Sequence, residues 1–192
     1  PVILIHGWDG SNKSFGDEPG LGGSLELVIE KVLGRPVRAF EYHTSKFGDA
    51  PRVNEGFGGK ASLADQLKNF IASIGASTDQ SVDVVAHSMG GLIARQYALS
   101  EKKIRRLVML GTPNYGGDFS DVLSGVLNNQ ADDLEYGARL QWDLYRAWKI
   151  KNPTELPAVL AVSGTDSPTS LGNYQNSDGV VRCESASLEN LG

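Results

Sequence analysis

A single cysteine, Cys183, stands among 192 residues. That excludes an internal disulfide and leaves the redox compartment open. No apolar run approaches the roughly 18 residues a membrane span needs, so stable membrane insertion is not expected. Positive charge is in short supply, with 18 Lys and Arg against 23 Asp and Glu for a formal net charge of −5. Without a basic run or basic–aromatic interleaving, that balance argues against a nucleic-acid partner. Histidine is scarce too, limited to His6, His43 and His87. No leader-like segment opens the chain, yet its first residue is Pro and not Met. Secreted and cytoplasmic locations therefore both stay open, as does oligomeric state. The rest is ordinary, at 40% hydrophobic and 21% charged residues. The length suits one domain over 1–192 with an α/β core of six or seven strands.

The most informative stretch runs from Val82 to Arg95. Val82, Val84 and Val85 are β-branched and apolar, as a strand covered on both faces requires. From Gly91 the spacing turns helical, with Leu92, Ile93, Gln96 and Tyr97 over a turn and more. Between them lies Ala86-His87-Ser88-Met89-Gly90, a small-x-Ser-x-Gly arrangement. A serine at such a strand-to-helix turn is lifted clear of the sheet, and its neighbours two positions away must be small where strand and helix close together. Ser88 is thus the candidate nucleophile, with Ala86 standing where Gly is commoner.

The other elements alternate around it. Val2–Ile5 reads as a buried strand running into His6-Gly7-Trp8-Asp9-Gly10. Leu25, Val28, Ile29, Val32 and Leu33 follow helical spacing up to Gly34 and Pro36. Val37–Tyr42 reads as a strand, and 44–60 as a long irregular loop. Ser62 caps a helix over Leu63–Ile74 that Gly75 ends. Ile104–Leu110 is the next strand, followed by Gly111-Thr112-Pro113-Asn114-Tyr115-Gly116-Gly117. Two helices, Phe119–Leu127 and Asp132–Trp148, precede a strand over Pro157–Gly164.

Ala86-His87-Ser88-Met89-Gly90-Gly91, the N-terminal Val2-Ile3-Leu4-Ile5-His6-Gly7-Trp8 and Leu110-Gly111-Thr112-Pro113 together resemble the landmarks of α/β-hydrolases, bacterial lipases and esterases in particular. The order is the same, and the likeness extends to about residue 185. The resemblance implies a minimal α/β-hydrolase fold, with a mostly parallel sheet and helices on both faces. It implies hydrolysis of a carboxylic ester or lipid through an acyl-enzyme on Ser88, with the Trp8 and Met89 N–H groups as oxyanion hole. The mechanism requires no metal or cofactor, although some bacterial lipases of this kind carry a structural calcium. Thr112, Asn114 and Tyr115 become candidate substrate contacts, or else part of a plain Pro/Gly-rich connector. The segment 119–150 becomes a lid or acyl-pocket wall, or simply a layer covering the sheet.

A serine is inert without a base, and the base needs an orienting carboxylate. Asp178, in Asp178-Gly179-Val180-Val181, resembles the acid motif of bacterial lipases and is preferred to Asp166. All three histidines precede Asp178, whereas the family order is Ser, acid, His. Three explanations stand: a base beyond Gly192, which is preferred; His43 as a non-standard base; or lost catalysis. His6 and His87 are expected to brace the loops they occupy. The rival functions are an acyltransferase or thioesterase on the same machinery, and a non-catalytic binding protein.

Overall fold

The computed structural model describes residues 1–16, 24–45, 47–75, 81–117, 128–165 and 180–188. Its frame is a five-stranded sheet built from β1 (Val2–Ile5), β2 (Val37–Phe40), β3 (Val82–His87), β4 (Ile104–Leu110) and β5 (Ala158–Val162). The order is β2-β1-β3-β4-β5, and all four pairings are parallel. The helices are α1 (Leu25–Leu33), α2 (Leu63–Ser73), α3 (Met89–Ser100), α4 (Asn129–Asp132), α5 (Arg139–Ile150) and α6 (Cys183–Ala186). Parallel strands demand crossovers, and α1, α2, α3 and the α4–α5 region lie between successive strands as crossovers would.

Side-chain alternation divides the core between the two faces of the sheet. Ile3, Ile5, Val84, Ala86, Leu107 and Met109 form the larger core, shared with Leu63, Leu67 and Ile71 of α2, Leu92 and Ile93 of α3, and Leu140, Leu144 and Trp148 of α5. Val2, Leu4, Phe15 and Val37 form the smaller one, with Leu25 and Ile29 of α1 against it. Helices thus lie on both faces, with α1 covering less than its sequence suggests. Leu25 and Ile29 pack inward, while Val28, Val32 and Leu33 stay exposed.

Local signals place most helix ends. Ser24 and Ser62 cap α1 and α2 by accepting from the N–H groups of Leu27 and Asp65, and Gly34 and Gly75 close them with positive φ. Several boundaries differ from the sequence reading: β2 ends at Phe40 and not Tyr42, and β5 spans Ala158–Val162 and not Pro157–Gly164. The helix expected over Asp132–Trp148 starts at Arg139, because Gly137, at φ +80, turns the chain between α4 and α5. The elbow helix begins at Met89, ahead of its two glycines. The inner face of α5 is core and packs on α3; residues 118–127 lie outside the described set.

The long loop after β2 is stitched down by side chains the sequence gave no reason to single out. Asn128 donates to Ser45 O at 2.5 Å, Asn129 to Ala50 O at 2.8 Å and Gln130 to Pro51 O at 2.7 Å. Asp133, buried beneath them, takes a forked pair of hydrogen bonds from Arg52.

At the opposite end of the sheet from the elbow, Asp83 accepts from Arg35 and, at 3.0 and 2.7 Å, from Arg105. Burial opposes its charge, but the hydrogen bonds from Arg105 and Arg35 outweigh that and lower its pKa. Because Arg105 is half exposed, Asp83→Ala should cost about 1 to 2 kcal/mol in urea unfolding at neutral pH. A depressed carboxylate stabilises above its ordinary pKa of 3.8. The gap between wild type and variant should therefore close as pH falls below that value.

Candidate active site

The turn between β3 and α3 holds Ser88 at φ +52, ψ −126. Among the described residues, Asp9 is the other non-glycine with positive φ. Side chains avoid this region, so the surroundings must hold Ser88 there. Its N–H donates to Leu110 O at 2.9 Å, tying the turn to the end of β4. The residue is half-buried, which leaves it accessible at the C-terminal edge of the sheet.

Three glycines let the backbone close around it. A Cβ on Gly90 would come within 2.6 Å of the carbonyl oxygens of Ile5 and His6, so the first turn of α3 sits directly on the end of β1. A Cβ on Gly91 would collide with the Thr112 side chain, and one on Gly7 would lie 2.9 Å from the Ser88 Cβ. The loop after β1 therefore passes against the serine. There, Gly10 N–H turns back to Gly7 O at 3.2 Å and closes a tight turn around Trp8 and Asp9. Met89 is the first helical residue, so its N–H has no intrahelical acceptor. Met89 follows Ser88 directly, and Trp8 follows Gly7, whose backbone lies against Ser88.

His6 braces that loop from beneath. It is fully buried and stacks on Tyr42, ring centroids 4.1 Å apart and planes 2° from parallel. Its Nδ1 lies 2.8 Å from Gly7 O, a contact that requires the proton on Nδ1. Tyr42 Oη donates to His6 O at 2.7 Å. Burial lowers the His6 pKa, against opposing contributions from the Gly7 carbonyl and from Glu41.

The other histidines stand apart from that role. His43 is exposed and lines a cleft of about 420 Å³ with Gly10, Glu41, Tyr42, Thr44 and Gln66, whose walls do not include Ser88. His87 is exposed beside Ser88 and lines a second cleft, about 440 Å³, with Gly7, Trp8, Phe15 and Leu110.

The loop after β4 carries the three candidate substrate contacts. Thr112 and Asn114 are 1% and 0% exposed. Thr112 fills the notch at Gly91, and Asn114 uses its side chain internally, donating to Ala186 O at 2.8 Å and accepting from Arg95 at 3.0 Å. Tyr115 alone of the three is half-buried, its ring 6.1 Å from Tyr145, which in turn meets Trp142 edge-on. Asp178 and Asp166 lie outside the described residues.

The strand–strained serine–helix unit on a parallel sheet defines an α/β-hydrolase. Residues 1–138 match the family model described as alpha/beta hydrolase fold, and the chain belongs to that family. It resembles bacterial lipases: it is 28% identical over 138 residues to a triacylglycerol lipase of Pseudarthrobacter phenanthrenivorans, covering 70% of this chain and 39% of the lipase. It is likewise 28% identical over 138 residues to a triacylglycerol lipase of Burkholderia plantarii, covering 70% and 35%. The chain thus spans about two fifths of the length of these relatives or less. Among solved structures it is similar in fold to phospholipase PlaB from Legionella pneumophila, with TM-score 0.71, 21% identity, and 97% and 43% of the two chains covered. The mature lipase BlEst2 of Bacillus licheniformis gives TM-score 0.70 at 18% identity, covering 98% and 79%.

Two measurements test this architecture. Gly90→Ala should destabilise by about 1 to 3 kcal/mol in urea melts, since backbone carbonyls leave its methyl no room. His6 should make stability pH-dependent in a defined direction. With a folded pKa below its ordinary 6.5, the unfolded chain takes up the proton first. Stability is then full above pH 6.5 and declines below it, and the slope should flatten in His6→Asn.

Proposed function

We propose that this chain is the α/β-hydrolase domain of a serine hydrolase that cleaves carboxylic esters of lipid type. The observation that carries the reading is the Ser88 backbone at φ +52, held between β3 and α3 with the glycine of the His6-Gly7 loop packed against it. Ser88 Oγ attacks the ester carbonyl carbon while its proton passes to a base. The N–H groups of Trp8 and Met89 stabilise the tetrahedral oxyanion. Collapse breaks the ester C–O bond, and the alcohol leaves with the proton. Water then attacks the acyl-enzyme, releasing the acid and restoring Ser88.

Asp178 is the orienting acid in this reading, and none of the three histidines is assigned the base. His6 is enclosed and held to Gly7, while His43 opens onto a cleft that Ser88 does not line. Tyr115, Tyr145 and Trp142 form an aromatic run from the loop after β4 along α5. Such a wall suits an apolar acyl chain. The triacylglycerol lipases similar to this chain support the same substrate class.

A fluorophosphonate ester should add its mass to Ser88, with no adduct on Ser88→Ala by intact mass spectrometry. Hydrolysis of a p-nitrophenyl acyl ester should fall by about 10³-fold or more in the same variant. The labelling rate should be unchanged by His43→Ala, whose cleft Ser88 does not line. Labelling equally fast with Ser88→Ala would sink the reading.

A further inference from the structure

Arg95 lies on α3 two turns beyond Ser88 and is completely buried. Its guanidinium sits over the Trp148 ring, 4.9 Å from the centroid, and Nη1 donates to Asn114 Oδ1 at 3.0 Å. Nε and Nη2 have no hydrogen-bond partner among the described residues. Burial brings the Arg95 pKa down to about 10, which still leaves it charged at neutral pH. A buried cation facing a neutral amide is a costly arrangement that a carboxylate would relieve. The use of Asn at position 114 therefore calls for a reason beyond Arg95.

The other end of the Asn114 amide supplies it. Nδ2 donates to Ala186 O at 2.8 Å, and Asn114 N–H donates to Ser185 O at 3.0 Å. Ser185 Oγ accepts from Tyr115 N–H at 3.2 Å and donates to Gly116 O. Arg95 can only donate and Ala186 O can only accept, so the amide orientation is forced. An aspartate would serve Arg95 better, but it would set a carboxylate against the Ala186 carbonyl. Asparagine is the side chain that satisfies both partners at once. Arg95 belongs to the helix that follows Ser88, whereas Ser185 and Ala186 belong to the segment 180–188 that begins two residues after Asp178 in sequence.

We propose that Asn114 is a positioning residue for ester hydrolysis, latching the segment that follows the acid motif onto the nucleophile helix through Arg95. This rests on the assignment of Ser88 and Asp178 given above. The latch joins the nucleophile's helix, the loop after β4 and the acid's downstream chain in one buried set of hydrogen bonds. Its role is to fix the chain that follows Asp178 in sequence against the helix that follows Ser88, and it does not touch substrate.

Asn114→Asp separates the two halves of the latch in the full-length chain. The carboxylate keeps and strengthens the Arg95 contact, so the melting temperature should hold or rise. The donor to Ala186 O is lost, so the amides of Ser185–Ser187 should exchange faster with deuterium while Leu92–Ala94 of α3 stay protected. The value of kcat should fall roughly 10- to 100-fold with KM changed less than about twofold. A merely structural role would lower stability and leave that split unseen. Ser185→Ala reaches the same latch from the other side. It should give the same exchange and kcat signature, and it decides the matter if Asn114→Asp does not fold. Unchanged kcat, or unchanged exchange at Ser185–Ser187, overturns the proposal while an inactive Ser88→Ala leaves the hydrolase reading standing. An active Ser88→Ala removes that reading, and the latch proposal with it.

Discussion

The whole arrangement depends on keeping one non-glycine residue at positive φ. Ser88 stays at φ +52 because the surrounding backbone leaves it no alternative. Gly90 rests on the Ile5 and His6 carbonyls, Gly91 on Thr112, and Gly7 against Ser88 itself. Close packing without side chains at these three points draws the ends of β1, β3 and β4 around a single turn. The strain is local, while its support comes from three elements distant in sequence.

That support continues outward in layers. His6 is buried under the loop after β1, stacked on Tyr42 and hydrogen-bonded to Gly7. The loop after β4 is likewise anchored from both sides, by Arg95 and by the segment 180–188. On the far side, Asn128, Asn129, Gln130 and Asp133 tie the long loop after β2 to the ground between β4 and α5. Loops at the C-terminal edge of a parallel sheet carry the chemistry in such folds. Here several of their anchoring hydrogen bonds join residues 72 to 87 positions apart in sequence.

Much of the site was legible because its signals are local. The nucleophile turn needs a β-branched strand, a serine flanked by small residues and a helix, all within Val82–Arg95. The cap residue Ser62 and the closing glycines Gly34 and Gly75 were readable for the same reason. Thr112 and Asn114 were named from a Pro/Gly-rich loop after a strand, where the sequence does not show which side chains are buried. Their burial depends on α3 and on 180–188, which no local pattern encodes. Periodicity marked α1 as amphipathic but could not tell that Val28, Val32 and Leu33 face away from the sheet. Gly137 gave a signal in principle; an aromatic run on both sides masked it.

By itself the sequence determined the order of strands and helices, the family, and Ser88 as the residue at the turn. These rest on hydrophobic period, small residues and chain order, which are properties of neighbours. Only the tertiary structure decided which polar side chains are spent inside: His6 under its loop, Arg95 over Trp148, and Asn114 between the Arg95 donor and the Ala186 acceptor. The reason is that a hydrogen-bond partner or a burial state is fixed by what another segment brings to the same place. For Asn114 those segments are α3 and the chain around Ala186, which meet at one amide.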